Sequence, residues 1–475
     1  MNKVKSIFTR NNIIYLTIFA ILLLSSYSGL ADYDYYWQST LGKYILQGDF
    51  YGVDKLTWGN LGKSLYLDHE WLTNILFYLS TLLGIKGITV LKILISLFIA
   101  LTLVYYIKSE NKEFNLISYL YLVVFLFILS VVFIRVKAYC ISIGFIILEV
   151  TFLKQYKKTY KFKYFIYMIL LCLLWTNMHS GSVILFFGVA GVFWLTNLFK
   201  NWRVLICGAV CFLVTFINPY GYKLLLFNLQ HNGDSVMKRY VADWRALDAK
   251  TSVGICCVFI VFLLVLSLYR INVKEHLFDI IMLAITVFLS LQSIRHFVYV
   301  LPFFVSIILD NSSKIKLQDN IVHYLAIVFI GICLLVNISA FTCKTYEIDY
   351  AMDYIDNDLK ELLIKTNCND STGLYSDELY LWDRGIKSFT SGAFPSVRQR
   401  HLDSYLIRFT GSNSQIQSII DYYSLTKFCF IKNNTLVDYY TVNCVLYDYL
   451  LNNGDYVCLY DSDYYCYFVK ADLEY

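Results

Sequence analysis

The feature that most constrains this chain is a long succession of apolar runs, separated by short segments that carry lysine and arginine. A helix that crosses a membrane needs about 20 mostly apolar residues, within a range of about 17–25. By that criterion the first 341 residues contain about eleven candidate spans, several of the middle ones short. They lie at Ile13–Ala31, Gly87–Ile107, Phe114–Ile134, Tyr139–Leu153, Tyr164–Asn177, Ser182–Phe199, Val204–Ile217, Thr251–Tyr269, Leu277–Ile294, Phe297–Leu309 and Ile321–Phe341.

The composition agrees with a membrane protein. Hydrophobic residues make up 58% of the 475 residues and charged residues only 16%, whereas about a quarter of an ordinary soluble domain is charged. These values exclude a disordered chain, a fibrous repeat and a plain soluble enzyme. The net charge of +5 is too small to indicate nucleic-acid binding. We therefore expect an α-helical polytopic membrane protein with about eleven transmembrane helices.

The distribution of basic residues predicts the orientation, because lysine and arginine concentrate in cytoplasmic loops. Lys3, Lys5 and Arg10 precede the first span and place the N-terminus in the cytoplasm. We interpret that span as a retained signal-anchor helix of a multi-pass protein in the plasma (inner) membrane. Alternation from there leaves an outer loop at residues 32–86, a second at residues 218–250, and the C-terminal region outside. The apolar run Trp71–Leu83 is too short to cross and is typical of an interfacial or re-entrant helix.

The C-terminal region differs in charge and pattern from the rest. Residues 1–341 carry a net charge of +13, and residues 342–475 a net charge of −8. We expect two domains with this boundary, the second an extracytoplasmic α/β domain. Its patterns predict helices at Tyr350–Lys365, Gln415–Tyr423 and Val445–Leu451, strands at Gly373–Trp382 and Lys427–Lys432, and a hairpin of Tyr456–Tyr460 with Tyr464–Val469. An exported domain permits disulfides, and Cys458 and Cys466 lie on the two predicted hairpin strands, where they could face each other.

An acidic pair stands at the start of the first outer loop, where Asp32 and Asp34 follow the first span. One interpretation is an interface belt that merely ends the helix. The other is a pair of carboxylates held at the level of lipid headgroups for chemistry. The pair alone favours neither interpretation.

The residues around this pair resemble the bacterial polytopic proteins related to the GT-C glycosyltransferases. The resemblance rests on the Asp-x-Asp pair with Trp37, on a Gly-x-x-Ile-x-x-Gly segment from Gly42 to Gly48, and on Asp54. It continues through His69-Glu70-Trp71-Leu72, Asn177-Met178-His179-Ser180-Gly181, Asn218-Pro219-Tyr220-Gly221, Asp243-Trp244 and Ser293-Ile294-Arg295-His296. Two departures are Gln38, where many relatives carry histidine, and Arg135-Val136-Lys137, where an Arg-Pro pair is commoner.

The resemblance implies transfer of a sugar from a polyprenyl-phosphate-linked donor to an envelope acceptor on the outer face. It implies that Asp34 or Asp32 acts as the base or lies near a metal. A glycan, a lipid and a protein all remain open as the acceptor, and the two aspartates are compatible with a divalent metal without requiring one. The expected partners are the lipid-linked donor, the acceptor and membrane lipids.

The leaving phosphate of such a reaction needs positive charge, because its own charge grows as the bond breaks. Candidate phosphate-binding residues on the outer side are Arg135, Lys137, Arg295 and His296, and arginine is well suited to paired phosphate contacts. Basic residues at helix ends also anchor to lipid phosphates, so each has a structural interpretation too. His69 and Glu70 form a candidate pair that shapes the loop, and His179 is a candidate binding residue at the end of a span.

Three other functions stay open. A transporter or flippase would place ionisable groups near the bilayer midplane, but Glu149 and Asp279 are predicted near the inner ends of their spans, where they can reach water. A polymerase or ligase of the O-antigen type would carry its chemistry in a large late loop. A catalytically silent scaffold of envelope polysaccharide assembly is the third alternative.

Overall fold

A computed structural model describes residues 10–23, 34–50, 56–57, 67–84, 86–112, 116–199, 201–231, 244–268, 271–311, 357–368, 387–389, 394–432, 444–463 and 465–473. The chain divides into two compact units. The first unit comprises Met1–Gly29, His69–Thr73 and Ser80–Lys344, and the second comprises Leu30–Asp68, Asn74–Leu79 and Thr345–Tyr475.

The residues of the first unit that the structure describes are almost all helical. Its helices are α1 (Arg10–Leu23), α4 (Lys86–Glu110), α5 (Leu116–Ile128), α6 (Ala138–Thr159), α7 (Lys163–Met178), α8 (Val183–Asn197), α9 (Trp202–Val214), α10 (Tyr222–His231), α11 (Ser252–Leu268), α12 (Leu277–Gln292) and α13 (Leu301–Asn311). A π-helical turn, Leu129–Phe133, follows α5. Short 3-10 helices precede α8 at Ser180–Ser182 and α13 at Ile294–Val300.

These helices confirm the helical positions of the predicted spans wherever the structure describes them. The last predicted span, Ile321–Phe341, lies outside the described residues. Three helices are long and apolar enough to cross a membrane, namely Lys86–Glu110, Ala138–Thr159 and Ser180–Asn197, as judged by length and composition over the described part of the chain. Six further apolar helices are shorter than that threshold. The run predicted at Trp71–Leu83 is helix α3 (Trp71–Thr81).

Helix α6 occupies the centre of the first unit, because most of its side chains are buried between α4, α7 and α8. Near its C-terminal end, the Lys154 ammonium group lies 2.9 Å from Asp279 Oδ1 and 3.0 Å from the Tyr106 hydroxyl. Asp279 is 4% exposed and Glu149 is fully buried. The prediction that these two carboxylates reach water is therefore wrong, because neighbouring helices cover both.

The second unit contains a small antiparallel sheet. Its strands are β1 (Lys427–Ile431), β2 (Tyr456–Asp461) and β3 (Tyr465–Lys470), and β3 lies in the middle. The accompanying helices are α2 (Asp34–Leu46), α14 (Asn357–Lys365), α15 (Phe394–Tyr405), α16 (Asn413–Tyr423) and α17 (Val445–Leu451). The hairpin, β1, α16 and α17 confirm the predicted elements. The strand predicted at Gly373–Trp382 lies outside the described residues.

The sheet has a core on each face, because alternate side chains of a strand point to opposite sides. Cys429, Tyr467 and Val469 pack with α14 on one face. Phe428, Phe430 and Phe468 belong to the core with α16 and α17 on the other face. Strand β3 is buried along most of its length, as expected for a central strand covered on both sides.

One detail of this unit differs from the sequence prediction. Cys458 pairs in register with Phe468, and Cys466 pairs with Asp461, so the two cysteines do not face each other. The irregularity between Cys458 and Tyr460 shifts the register, which alternation alone does not reveal. The backbone amide of Ser388 donates to the carbonyl of Leu56 at 2.9 Å. This bond joins part of the predicted first outer loop to the C-terminal region.

Candidate functional site

The candidate site lies in the first unit, around the end of helix α7. His179 follows the last residue of α7 and immediately precedes the 3-10 turn Ser180–Ser182. This turn reverses the chain between two apolar helices, so polar side chains are held beside the helix ends. His179 is itself 5% exposed.

Two serines and a tryptophan hold the imidazole of His179. Its Nδ1 lies 2.7 Å from Ser142 Oγ and 2.8 Å from Ser182 Oγ. Trp175 Nε1 donates to Ser182 Oγ at 2.7 Å, and the two serine hydroxyls are 3.0 Å apart. The Tyr299 hydroxyl also interacts with both serines. The imidazole is therefore fixed in orientation by a buried hydrogen-bond network.

Glu70 lies between two imidazoles. Its Oε1 is 3.5 Å from His69 Nε2 and 3.5 Å from His179 Nε2. The backbone amide of Ser180 donates to the carbonyl of His69 at 2.9 Å, which ties the chain before α3 to the turn after α7. A Cβ atom at Gly181 would lie 3.4 Å from His69 Cδ2, an ordinary van der Waals distance, so the turn after α7 lies directly beside the His69 ring.

The start of α3 is tied to the end of α7 by two further bonds. Trp71 Nε1 donates to Asn177 Oδ1 at 2.9 Å, and the hydroxyl of Thr73 donates to the carbonyl of Met178 at 2.7 Å. Asn177 in turn donates to the carbonyl of Ile217 at 3.0 Å. The motifs around His69 and His179, which are distant in sequence, are therefore held together in space.

Arg295 and His296 belong to the same cluster. They lie on the 3-10 helix Ile294–Val300. The Arg295 guanidinium stacks 3.5 Å from the centre of the Trp244 ring. The backbone amide of Ile294 donates to the carbonyl of Arg245 at 3.0 Å, which places Trp244 beside this turn. The predicted site residues on three separate segments are thus brought together.

The electrostatic environment keeps His179 neutral. Burial lowers its pKa well below the usual value, and Coulombic interactions with His69, Arg295 and His296 lower the pKa further. A neutral imidazole carries one N–H group. Because a carboxylate only accepts hydrogen bonds, the proton belongs on Nε2, facing Glu70. Nδ1 then accepts from a serine hydroxyl.

Arg135 and Lys137 lie at the same end of α6 as Ser142. Lys137 immediately precedes α6, and the backbone amide of Arg135 donates to Cys140 Sγ at 3.2 Å. Arg135 is exposed and Lys137 is half-buried. Both interact electrostatically with Cys140, as does Tyr299. These basic side chains extend the positive character of this end of the helix.

The structure describes only one residue of the predicted acidic pair. Asp32 lies outside the described residues, and Asp34 is the first residue of α2, in the second unit. Asp34 Oδ1 accepts a hydrogen bond from Trp37 Nε1 at 3.0 Å. A carboxylate is favoured in the first turn of a helix, so this position has a structural explanation.

Sequence reasoning missed four residues of the network: Ser142, Ser182, Trp175 and Tyr299. The two serines interrupt apolar runs, and that interruption is the only signal that marks them in the sequence. Across the described part of the chain, no group of three or more histidine, cysteine, aspartate or glutamate side chains is placed to hold a metal ion.

Comparison with known proteins adds no identification. No protein-family description matches the sequence, and no curated protein matches it. The physical character of the cluster is therefore the basis for a functional proposal. The cluster gathers His69, Arg295 and His296 around the neutral His179, and such side chains favour an anionic ligand.

Proposed function

We propose that the chain is a multi-pass membrane protein with a GT-C-like architecture, in the plasma (inner) membrane. Its apolar helices support this proposal, as do large apolar side chains exposed on their outer faces, such as Leu170, Phe262 and Phe288. Helix α6 is about 33 Å long at 1.5 Å per residue, close to the thickness of a bilayer core.

The two ends of α6 support an orientation. Ser142 of the candidate site lies near the start, and Lys157 and Lys158 lie in the last turn. Lysine-rich ends belong in the cytoplasm by the positive-inside rule. In the proposed orientation, the cluster of His69, His179 and Arg295 therefore opens to the outer side.

We propose that the protein transfers a sugar from a polyprenyl-phosphate-linked donor to an envelope acceptor. The observation that carries this proposal is the gathering of Arg295, His296 and His69 around the buried His179. A phosphate diester between a lipid and a sugar is an anion at the membrane surface, and such side chains complement it. The acceptor class remains a glycan, a lipid or a protein.

In the proposed reaction an acceptor hydroxyl oxygen attacks the anomeric carbon. The bond from that carbon to the phosphate oxygen breaks, and the lipid phosphate leaves with the electron pair. The proton of the hydroxyl passes to a general base. Arg295, with Arg135 and Lys137, stabilises the leaving phosphate, and a single displacement inverts the anomeric centre.

A transporter or flippase is the second candidate. The complete burial of Glu149 favours it, because an ionisable side chain inside a helical bundle is typical of ion-coupled carriers. A scaffold without activity is the third. Both alternatives predict no transfer of sugar by the purified protein.

The test is transfer of labelled sugar from a polyprenyl-phosphate donor by membranes that contain the protein. Arg295→Ala is expected to lower the rate about 10²-fold or more, as the loss of one donor to a developing anion does. Arg203→Ala, an exposed arginine at the first turn of α9, is the matched control and should retain the wild-type rate. Equal rates in all three proteins would reject the role of the cluster. Uptake into vesicles without transfer would favour the transporter.

A further inference from the structure

Glu149 is a buried ionisable group that the proposed reaction does not use. It lies in the middle of α6 and is fully buried. Within the part of the chain that the structure describes, neither of its carboxyl oxygens has a hydrogen-bond partner. A buried side chain of this kind needs an explanation, because buried polar groups are almost always paired.

Among the residues that the structure describes, those around Glu149 supply no compensating charge. Its carboxyl group approaches the backbone of Ala190 on the facing helix α8, without a hydrogen bond of normal geometry. It also lies within electrostatic reach of the Cys211 thiol on α9, a neutral group. The carbonyl of Cys211 accepts a hydrogen bond from the Cys172 thiol of α7 at 3.5 Å.

The nearest lysine along α6, Lys154, pairs with a different carboxylate, that of Asp279. Lys154 Nζ lies 2.9 Å and 3.1 Å from the two carboxylate oxygens of Asp279. It also donates to the Tyr106 hydroxyl at 3.0 Å and to Ser306 Oγ at 2.5 Å. Asp279 is therefore a buried carboxylate with a counter-charge, whereas Glu149 is a buried carboxyl group without one.

An ionised carboxylate without a counter-charge is strongly disfavoured in an apolar interior, and such a group neutralises instead. We propose that Glu149 is a buried proton-binding site and holds its proton as a neutral carboxylic acid in the folded protein. The ligand of this site is a proton, and the site is distinct from the anion-binding cluster around His179. The inference holds whether or not the protein transfers sugars.

The test is infrared spectroscopy of the intact protein in lipid. The difference spectrum of wild type minus Glu149→Gln is expected to show the C=O stretch of a protonated carboxylic acid, shifted in deuterated water. The matched control, Asp279→Asn, is expected to show the paired stretches of an ionised carboxylate, because Asp279 faces Lys154. Carboxylate stretches in the Glu149 difference spectrum would overturn the proposal.

Two further measurements are added. The first tests the proposal even if Glu149→Gln fails to fold, and the second tests whether the site binds a metal cation instead of a proton. Wild-type protein labelled with carboxyl-¹³C glutamate should show the isotope shift in the protonated band, and absence of that shift would overturn the proposal without any substitution. For wild type and for Glu149→Gln alike, the unfolding temperature should be the same in sodium as in a large organic cation. A rise of the wild-type temperature in sodium alone would assign a metal cation to the site instead of a proton.

Discussion

His179 is the residue whose chemistry the fold changes most. In water its imidazole titrates at a pKa near 6.5, but burial and Coulombic interactions with neighbouring basic side chains lower its pKa well below that value. Its two nitrogens are assigned by their neighbours, a pair of serine hydroxyls on one side and Glu70 on the other. This side chain positions Glu70 and the 3-10 turn, and its neutral state limits the positive charge of the cluster.

The depressed pKa of His179 predicts a pH dependence of stability. Below about pH 6.5 the unfolded chain binds a proton at this residue that the folded protein does not bind, so stability falls as the pH falls. The contribution reaches about 1.4 kcal/mol per pH unit. We expect His179→Asn, whose side-chain oxygen replaces Nδ1 as acceptor, to remove this part of the slope. Unfolding in detergent between about pH 5 and 6.5 measures it, and parallel slopes would contradict the assignment.

The stacking of Arg295 on Trp244 predicts a difference between two substitutions. A cation–π contact contributes about 0.5–2 kcal/mol, which corresponds to about 2- to 30-fold in affinity. Trp244→Ala should weaken binding of polyprenyl phosphate within that range, because the guanidinium loses the surface that orients it. Trp244→Phe keeps an aromatic face and should lose less. The affinities are measured by titrating the protein with the lipid and following the intrinsic fluorescence. Equal lipid affinities of the Trp244→Ala and Trp244→Phe proteins would show that the stacking does not orient Arg295.

At the scale of helices, the Lys154 network joins α4, α6, α12 and α13 through buried charges. His276 extends it, since its Nε2 lies 3.1 Å from Asp310 Oδ2. Lys112 also contacts Asp310, at 2.7 Å. The network fixes the relative positions of these helices, because each buried charge requires its partner in place.

Removing one partner of the Lys154–Asp279 ion pair is expected to lower the free energy of unfolding. Asp279→Asn leaves the Lys154 charge buried without its main partner, and such a loss destabilises by about 3–5 kcal/mol. Replacing both residues, in Lys154→Met with Asp279→Leu, removes both charges and should cost less than the single substitution. Denaturation of the three proteins in detergent measures the difference. A double variant as unstable as Asp279→Asn would contradict the electrostatic explanation.

Helices and strands whose apolar residues recur with a regular period could be predicted from the sequence, and those without such a pattern could not. The apolar runs along α4 and α6, the helix α16 and the hairpin of β2 and β3 follow from local pattern alone. Helix α15 was missed, because Phe394–Tyr405 is mostly polar and has no apolar period. Helix α2 was missed because its residues read as part of a polar loop.

The candidate site could be predicted only in part, for the same reason. His69, Glu70, His179, Arg295 and His296 stand out in the sequence as polar residues beside apolar runs. Their common location depends on how distant segments pack, which local pattern does not contain. The serines that hold His179 are ordinary polar residues within helices, and only their contacts give them a role.

At the scale of the whole molecule, the charge division of +13 and −8 predicts sidedness. The proposed orientation places the loop around Lys161 in the cytoplasm and the C-terminal domain outside. An alkaline phosphatase fused after Tyr475 should be active, and one fused after Lys161 should be inactive, because that enzyme needs the oxidising exterior. Fluorescent-protein fusions at the same two positions should give the reverse pattern. Equal activity at both positions would contradict the proposed orientation.

The central claim is that the basic cluster beside His179 binds the phosphate of a lipid-linked sugar. Its most direct test is an experimental structure of the protein with a polyprenyl-phosphonate sugar, in which a carbon replaces the reactive oxygen. We expect the phosphonate oxygens within hydrogen-bond distance of Arg295, with His69 or His296 as a second contact. A phosphonate bound at the opposite end of α6, near Lys157 and Lys158, would contradict the claim.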